Sequence, residues 1–259
     1  MSSILDNIYA AKRVEVRARR EAVSPMAIVA EADRAPKPRD FAAALRASRP
    51  AIIAEIKRAS PSKGDILPGL DPATVAREYV AAGAAAISVL TDVHFKGTLE
   101  DLRAVRATVD VPVLRKDFIF EPYQVYEARA AGADCVLLIA AMLKEGELRS
   151  LSALARELGM ATLVESHNAV EFALAQKVGA GLIGINNRDL HTFVTDIAVT
   201  ERLLAGYAGE ALIVTESGID SPDDIRRLDA AGARAFLIGE SLLKGAAPGA
   251  KLGELMRAL

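Results

Sequence analysis

From about residue 50 onward the chain alternates short apolar runs with longer stretches in which apolar and charged positions are interleaved. The apolar runs cover 51–56, 85–90, 111–114, 135–139, 161–164, 182–185, 211–214 and 235–238. They are short, aliphatic and without strict alternation, which suits parallel strands covered on both faces. The intervening stretches carry helix punctuation. Asp71-Pro72, Glu121-Pro122 and Ser221-Pro222 each set a polar residue before a Pro at the first helical position. Gly83, Gly132, Gly159, Gly179 and Gly232 follow the helical stretches, where glycine supplies the left-handed turn that closes a helix. Eight alternating units imply a closed barrel or a doubly wound open sheet. No Gly-x-Gly-x-x-Gly follows the first run, which removes the commonest nucleotide-binding form of the open sheet. A length of 259 residues fits the closed form. The predicted fold is α/β, a (β/α)8 TIM barrel.

The first 48 residues lie outside this repeat. Ile4, Leu5, Ile8 and Tyr9, followed by the charged stretch 12–17, predict an amphipathic helix, and Ser24-Pro25 opens a second. Pro36 and Pro38 break the chain before an apolar segment at 41–45. The expectation is one barrel domain over 1–259, with 1–48 as an N-terminal helical extension docked near the barrel mouth. The basic run Arg17, Arg19 and Arg20 reads best as a solvated helix face.

Composition narrows the function classes. With no Trp and 5% aromatics, the core has to be aliphatic. A net charge of −2 gives no broad electrostatic footprint for nucleic acid or an anionic membrane surface. Cys135 lies inside an apolar run and reads as a buried, inert thiol. The N-terminus lacks a secretory apolar segment. No apolar run approaches the roughly 20 residues that span a bilayer. The expected location is cytoplasmic, with neither nucleic acid nor membrane as partner.

Candidate chemistry gathers where the strands end. Glu55 and Lys57 close the first strand, Lys116 the third, Glu165 the fifth, Asn186 the sixth and Glu216 the seventh. The C-terminal strand ends form the active-site face of this fold. Side chains alternate along a strand, so Ile53, Glu55 and Lys57 share a direction. The same parity joins Leu114 with Lys116, Leu163 with Glu165, and Val214 with Glu216. Arg115 then faces the helices. Singly, each residue reads as a salt-bridge partner or helix cap. Five strands delivering polar groups to one rim is different, because opposite charges buried together are costly unless paired or used.

Two Gly-containing loops suggest an anion site. Glu216-Ser-Gly-Ile-Asp220 leads to the helix start at Ser221, and Ile238-Gly-Glu-Ser241 leads to Leu242. Loops seven and eight with a short helix N-terminus are the recurrent phosphate cradle of the barrel. Ser60-Pro-Ser-Lys-Gly64 is long and polar for a simple connection and reads as a mobile loop over the site. His94, His167 and His191 show no metal-ligand spacing. His167 reads as a loop hydrogen-bond donor. No metal and no cofactor are expected.

These segments resemble the indole-3-glycerol phosphate synthases. The likeness rests on Ile53-Ala-Glu-Ile-Lys-Arg-Ala-Ser-Pro-Ser-Lys-Gly64, Pro112-Val-Leu-Arg-Lys-Asp-Phe118, Leu163-Val-Glu165, Gly184-Ile-Asn-Asn-Arg-Asp-Leu190 and Glu216-Ser-Gly-Ile219, in family order. It covers nearly the whole chain. The resemblance implies decarboxylating ring closure and dehydration of 1-(2-carboxyphenylamino)-1-deoxyribulose 5-phosphate, without a cofactor. It implies Lys116 as general acid and Glu165 as general base. Lys57 would pair with an anionic group of the substrate and donate a proton during dehydration. Glu55 and Asn186 would position and polarise these groups, with Glu216 and Ser217 completing the ring of contacts. Ser60, Gly218 and Gly239 match phosphate-binding positions, and Arg188 would support the anthranilate carboxylate. It further implies a monomer, with at most weak association with other enzymes of tryptophan synthesis. Ser166 and Thr215 depart from the family pattern, but both are expected to point away from the barrel axis. Glu240 is expected to point away from the phosphate cradle. A Schiff-base aldolase using Lys116 or Lys57, and a non-catalytic metabolite-binding barrel, are the alternatives.

Overall fold

The structure is a computed structural model, which describes residues 4–60, 64–66, 69–189, 192–243 and 248–259. The strands are β1 (Ala51–Ile56), β2 (Ala86–Leu90), β3 (Val113–Lys116), β4 (Cys135–Ile139), β5 (Ala161–Ser166), β6 (Leu182–Asn186), β7 (Leu212–Glu216) and β8 (Ala235–Ile238). All neighbours pair in parallel, and β1 closes against β8. The chain forms a closed (β/α)8 barrel. The helices around it include α4 (Pro72–Ala81), α5 (Leu99–Thr108), α6 (Pro122–Ala130), α7 (Glu145–Glu157), α8 (Ala169–Lys177), α9 (Ala198–Leu204), α10 (Pro222–Ala231), α11 (Glu240–Leu243) and α12 (Pro248–Leu255). The expected starts hold: Asp71 and Ser221 accept hydrogen bonds from Thr74 and Asp224 backbone N–H groups. Glu121 is the N-cap residue of α6.

Strand parity divides the apolar residues into two cores. Ala51, Ile53, Leu114, Leu137, Leu163, Val214 and Leu237 belong to the cluster inside the barrel. Ile52, Ile87, Val136, Val164, Ile183, Ile213 and Phe236 pack outward against the helices. Fully burying one such side chain is worth about 1.5–3 kcal/mol, and the strands contribute to both cores at once. Cys135 is fully buried in the inner set.

The extension forms α1 (Ile4–Ala22), α2 (Pro25–Arg34) and α3 (Phe41–Ala47). The expectation is docking near the mouth, and the extension reaches both ends of the barrel. Leu5 and Ile8 of α1 do line the mouth cavity. Val16 of α1 and Ile28 of α2 pack with Tyr123 of α6. α3 lies at the opposite end, where Phe41 and Leu45, 1% and 2% exposed, join the inner core. The reason is volume. At that end the inward residues include Ala51, Ala86 and Ala235, and small side chains leave a hollow that an aromatic ring fills. Among the described residues, no helix is long and apolar enough to cross a membrane.

Candidate active site

Glu55, Lys57, Lys116, Glu165, Asn186, Glu216 and Ser217 converge on one cavity of about 450 Å³ at the C-terminal ends of the strands. Strand register brings them together: Asn186 lies opposite Glu216, and Glu165 opposite both Ile139 and Gly184. Lys116 Nζ lies 3.0 Å from Glu165 Oε2 and 3.4 Å from Glu216 Oε2. Lys57 Nζ lies 2.6 Å from Glu55 Oε1. Two glycines make this crowding feasible. A Cβ on Gly184 would stand 2.4 Å from Glu216 Oε1, and one on Gly239 would stand 2.4 Å from Glu55 Oε1.

Proximity sets the charge states. Burial alone would depress Lys116, but Glu165, Glu216 and Glu55 together hold its pKa above that of an ordinary lysine. Burial would raise Glu165, yet Lys116 and His167 hold it well below the usual carboxylate range. Burial would likewise raise Glu55, which Lys57 and Lys116 keep low. Glu216 goes the other way. Burial pushes it up, Lys116 only partly offsets that, and repulsion from Glu165 and Glu55 adds to the rise, to about 8. Its Oε1 is buried with no hydrogen-bond partner among the described residues. The site thus holds a cationic acid, an ionised carboxylate beside it, and a second carboxyl that keeps its proton more tightly.

Asn186 Oδ1 accepts from Ser217 Oγ at 2.9 Å and from the Arg188 N–H at 3.1 Å. Ser217 is in the left-handed region at φ +66. Such a position costs a non-glycine residue about 1 kcal/mol or more and persists where the surroundings fix it. Gly218 follows at φ +79, where a Cβ would also strike Thr195 at 2.7 Å. Gly218, Gly239 and Ser241 line one side of the cavity. Leu5, Ile8, Phe95, Phe118, Phe193 and Ile219 contribute apolar lining. The cavity therefore presents an ionic floor, a glycine-containing rim and a surface fit for an aromatic ring.

Several expectations are refined. Arg115 faces outward, as parity requires, and is fully buried against Asp117, Glu127 and the Gln124 carbonyl. Ser166 and Thr215 also face away, bonding Gly184 O and Asn187 Nδ2. Glu240 does not point away. It lines the cavity, and its carboxylate lies 3.1 Å from Arg188 Nη2. The guanidinium supplies the physical reason, since a carboxylate so near an anion site needs a cation. The backbone of Ser60 pairs with Gly64 in a short antiparallel arm. The Ser60 side chain, residues 61–63 and His191 lie outside the described residues. Among the described residues, no group of three or more His, Cys, Asp and Glu is placed to hold a metal ion.

Two residues carry more than the sequence reading gave them. His167 is buried between Glu165 and Glu171. Lys12 of α1 is fully buried, within 2.9 Å of Asp92, Asp117 and Glu15 carboxylates. Parity with Glu165 was the available signal for His167; an amphipathic helix gives none for a buried lysine.

The family model for indole-3-glycerol phosphate synthase matches residues 5–255. The chain belongs to the indole-3-glycerol phosphate synthase family. The family's enzyme from Laribacter hongkongensis is 48% identical over 98% of this chain and 99% of its own length. The one from an Azoarcus species is 50% identical over 98% and 99%. Among solved structures, the tryptophan synthase alpha subunit of Legionella pneumophila superposes with a TM-score of 0.62 at 16% identity, covering 84% of this chain and 97% of that one. The N-acetylmannosamine-6-phosphate 2-epimerase of Clostridium perfringens gives 0.59 at 13%, over 74% and 86%. These two likenesses carry the barrel fold alone. In this indole-3-glycerol phosphate synthase family member, the quoted motifs are the strand ends that build the cavity floor.

Proposed function

We propose that this chain converts 1-(2-carboxyphenylamino)-1-deoxyribulose 5-phosphate to indole-3-glycerol phosphate, CO2 and water, as a carbon–carbon lyase of tryptophan synthesis. The observation that carries this reading is Lys116 lodged between the Glu165 and Glu216 carboxylates in a cavity that also has apolar lining. Ring closure needs an acid at the sugar carbonyl oxygen, an acid for the departing hydroxyl and a base for the released proton. Lys116 is the first acid: its carboxylate neighbours keep it protonated until a developing alkoxide competes for the proton. Lys57, held by Glu55, is the second. Glu165 is the base. Glu55 and Asn186 position these groups, and Glu216 and Ser217 complete the contacts.

The aromatic ring of the substrate lies against the apolar lining, with its carboxylate toward Arg188. The phosphate lies at Gly218 and Gly239, with Ser60 nearby, where backbone N–H groups and a helix start favour an anion. Because Arg188 is paired with Glu240, the substrate carboxylate displaces or shares that partner. Without a cofactor, the reaction rests on these side chains. We further propose one folding unit, since α3 of the 1–48 extension supplies part of the barrel's inner core. We take it as a cytoplasmic monomer that associates at most weakly with other enzymes of tryptophan synthesis.

A Schiff-base aldolase needs a neutral lysine, and the raised pKa of Lys116 opposes that. Supplying the carboxyphenylamino substrate and following indole fluorescence tests the proposal directly. Turnover is expected. Ligand binding without turnover would leave a metabolite-binding barrel, and borohydride trapping of a lysine imine would point to the aldolase.

A further inference from the structure

Glu171 occupies the third position of α8, whose N-cap is Asn168. Its carboxylate accepts from the His167 backbone N–H at 2.8 Å, and Asn168 Nδ2 donates to it at 2.6 Å. The same Oε2 lies 2.9 Å from His167 Nδ1. An ionised carboxylate offers only acceptors, so Nδ1 carries a proton. The helix cap thereby fixes both the tautomer and the tilt of the ring. Held this way, His167 Nε2 stands 3.2 Å from Glu165 Oε1, with the histidine side chain 8% exposed. Nε2 has no well-aligned hydrogen-bond partner among the described residues.

A neutral ring with its proton on Nδ1 would set the Nε2 lone pair 3.2 Å from a carboxylate oxygen, off its axis, in a site of low dielectric. That proximity is unfavourable for a neutral ring and favourable for an imidazolium paired with the carboxylate. Glu165 faces the ring from its own strand, and Glu171 faces it from α8. Lys116 of β3 lies on the other oxygen of Glu165, and Glu216 of β7 lies beyond Lys116. Burial opposes a charge on the imidazole, but the two carboxylates outweigh it and push its pKa up to about 10.

We propose that His167 is a positioning residue: an imidazolium, clamped by Glu171, that holds the Glu165 carboxylate in place and decides that Glu165 rather than Glu216 is the ionised member of the pair beside Lys116. This deepens the reading of Glu165 as the base and rests on it. Two carboxylates beside one lysine titrate as a coupled pair, and without a second cation either can hold the shared proton. With His167 near Oε1 and Lys116 on Oε2, both oxygens of Glu165 face cations, while Glu216 Oε1 has no hydrogen-bond partner among the described residues. The pair is thereby split into a base and a proton-holding carboxyl, the pattern by which one site runs acid and base steps together.

The test uses the full-length protein. His167→Gln keeps a hydrogen-bonding side chain but removes the charge. The expected result is a fall in kcat of about tenfold, as for a weakened acid–base component, with KM for the carboxyphenylamino substrate within about twofold. The acid limb of the kcat–pH profile should move up by about one unit. Glu171→Gln should move it in the same direction by less. Nitrogen-15 NMR of the free protein reads the same claim without turnover. At pH 8 both ring nitrogens of His167 should be protonated, and Glu165→Gln should return the ring to the neutral form. A neutral ring at pH 8 in the parent overturns the proposal. So does a folded His167→Gln protein with unchanged kcat and pH profile. If His167→Gln does not fold, the Glu171→Gln profile and the NMR titration decide. If the parent turns nothing over, the proposed function fails while the NMR result still tests the clamp.

Discussion

Arg115 and Lys116 are adjacent in β3, yet they serve two different ionic assemblies. Arg115 faces outward into a largely buried network. Its Nη2 lies 2.9 Å from Asp117 Oδ2 and 2.8 Å from Glu127 Oε2, and Lys12 Nζ lies 2.9 Å from the other Asp117 oxygen. Thr91 adds a hydrogen bond to Asp117 at 2.6 Å, and Arg19 reaches Glu127 at 3.0 Å. Lys116 faces inward, onto a cavity where Glu216 keeps a buried oxygen without a hydrogen-bond partner among the described residues. In the outer assembly Asp117 contacts both Arg115 and Lys12, and it is held far below its ordinary pKa, Arg115 being the chief opposing influence to burial. In the inner one Glu216 is pushed up. The same residue types therefore make a fastening on one face and a reactive set on the other. The difference is that Lys12 sits within 2.8 Å of the Asp92 and Glu15 oxygens of the outer assembly, whereas Glu216 Oε1 of the inner one has no hydrogen-bond partner among the described residues.

The largest effect is expected at Lys116. Lys116→Met keeps length and apolar volume but removes the proton. A positioned acid typically contributes about 10²–10⁴-fold, so kcat should fall by at least about 10²-fold, with a much smaller change in KM. Lys116→Arg should not restore it, because a guanidinium is a poor proton donor near neutral pH. The melting temperature should fall by a few degrees at most, since the cavity admits water and Glu216 can keep its proton. Steady-state kinetics with a thermal melt would check both halves. Near-parental turnover in a folded Lys116→Met protein would shift the acid's role to Lys57.

Arg115→Met should invert that pattern. Removing one partner from a buried ionic network typically costs about 3–5 kcal/mol, because Asp117 and Glu127 would be left short of positive charge. Denaturant unfolding should show this loss. The shape of the kcat–pH profile should not change, because the acid–base groups are on the other face. A variant as stable as the parent would mean that Lys12 and Arg19 suffice without it.

Much of this arrangement was legible in the sequence. Parity along a strand put Glu55, Lys116, Glu165 and Glu216 inside and Arg115, Ser166 and Thr215 outside, because a two-residue period needs no tertiary information. Lys12 was not legible. It sits on an amphipathic helix among charged residues, and only the approach of Asp92 and Asp117 from two other loops makes it internal. The α3 plug was missed for a similar reason: the need for Phe41 arises from small residues far away in the chain. The pairing of Glu240 with Arg188 joins residues 52 apart in sequence, and no local pattern encodes it. Gly184 reads as part of a strand and Gly239 as a phosphate-loop glycine, whereas their missing side chains also make room for Glu216 and Glu55.

That last point supports a smaller prediction on the inner side alone. In Gly184→Ala the new methyl meets the end of the Glu216 chain, while its distances to Glu165 and Leu163 stay ordinary at 3.4 and 3.5 Å. A flexible carboxylate can swing aside, so stability should fall by only about 1 kcal/mol, the low end for overpacking. The displaced Glu216 should lower kcat by roughly fivefold, since small misplacements at a reacting centre are felt directly. A stability loss with unchanged kcat would show that the position of Glu216 does not matter to the chemistry.

The two assemblies also differ in the sign of their pH dependence. Asp117 has a lowered folded pKa, so the stability it contributes is present above its unfolded value near 3.8 and is lost as pH falls. Glu216 has a raised one. Between the ordinary glutamate value of 4.5 and about 8, the folded protein binds more protons at Glu216 than the unfolded chain does. Stability from this group is therefore fully present below 4.5 and is lost as pH rises through about 8. Glu216→Gln removes the titration while keeping the shape. Its melting temperature relative to the parent should improve between pH 5 and pH 8, the window in which parent Glu216 loses its proton-linked stability. Thermal melts of both proteins across that range provide the check. A parallel pH dependence in parent and variant would mean that Glu216 is ionised throughout, and that the inner set is closer to a saturated network than its unpartnered oxygen indicates.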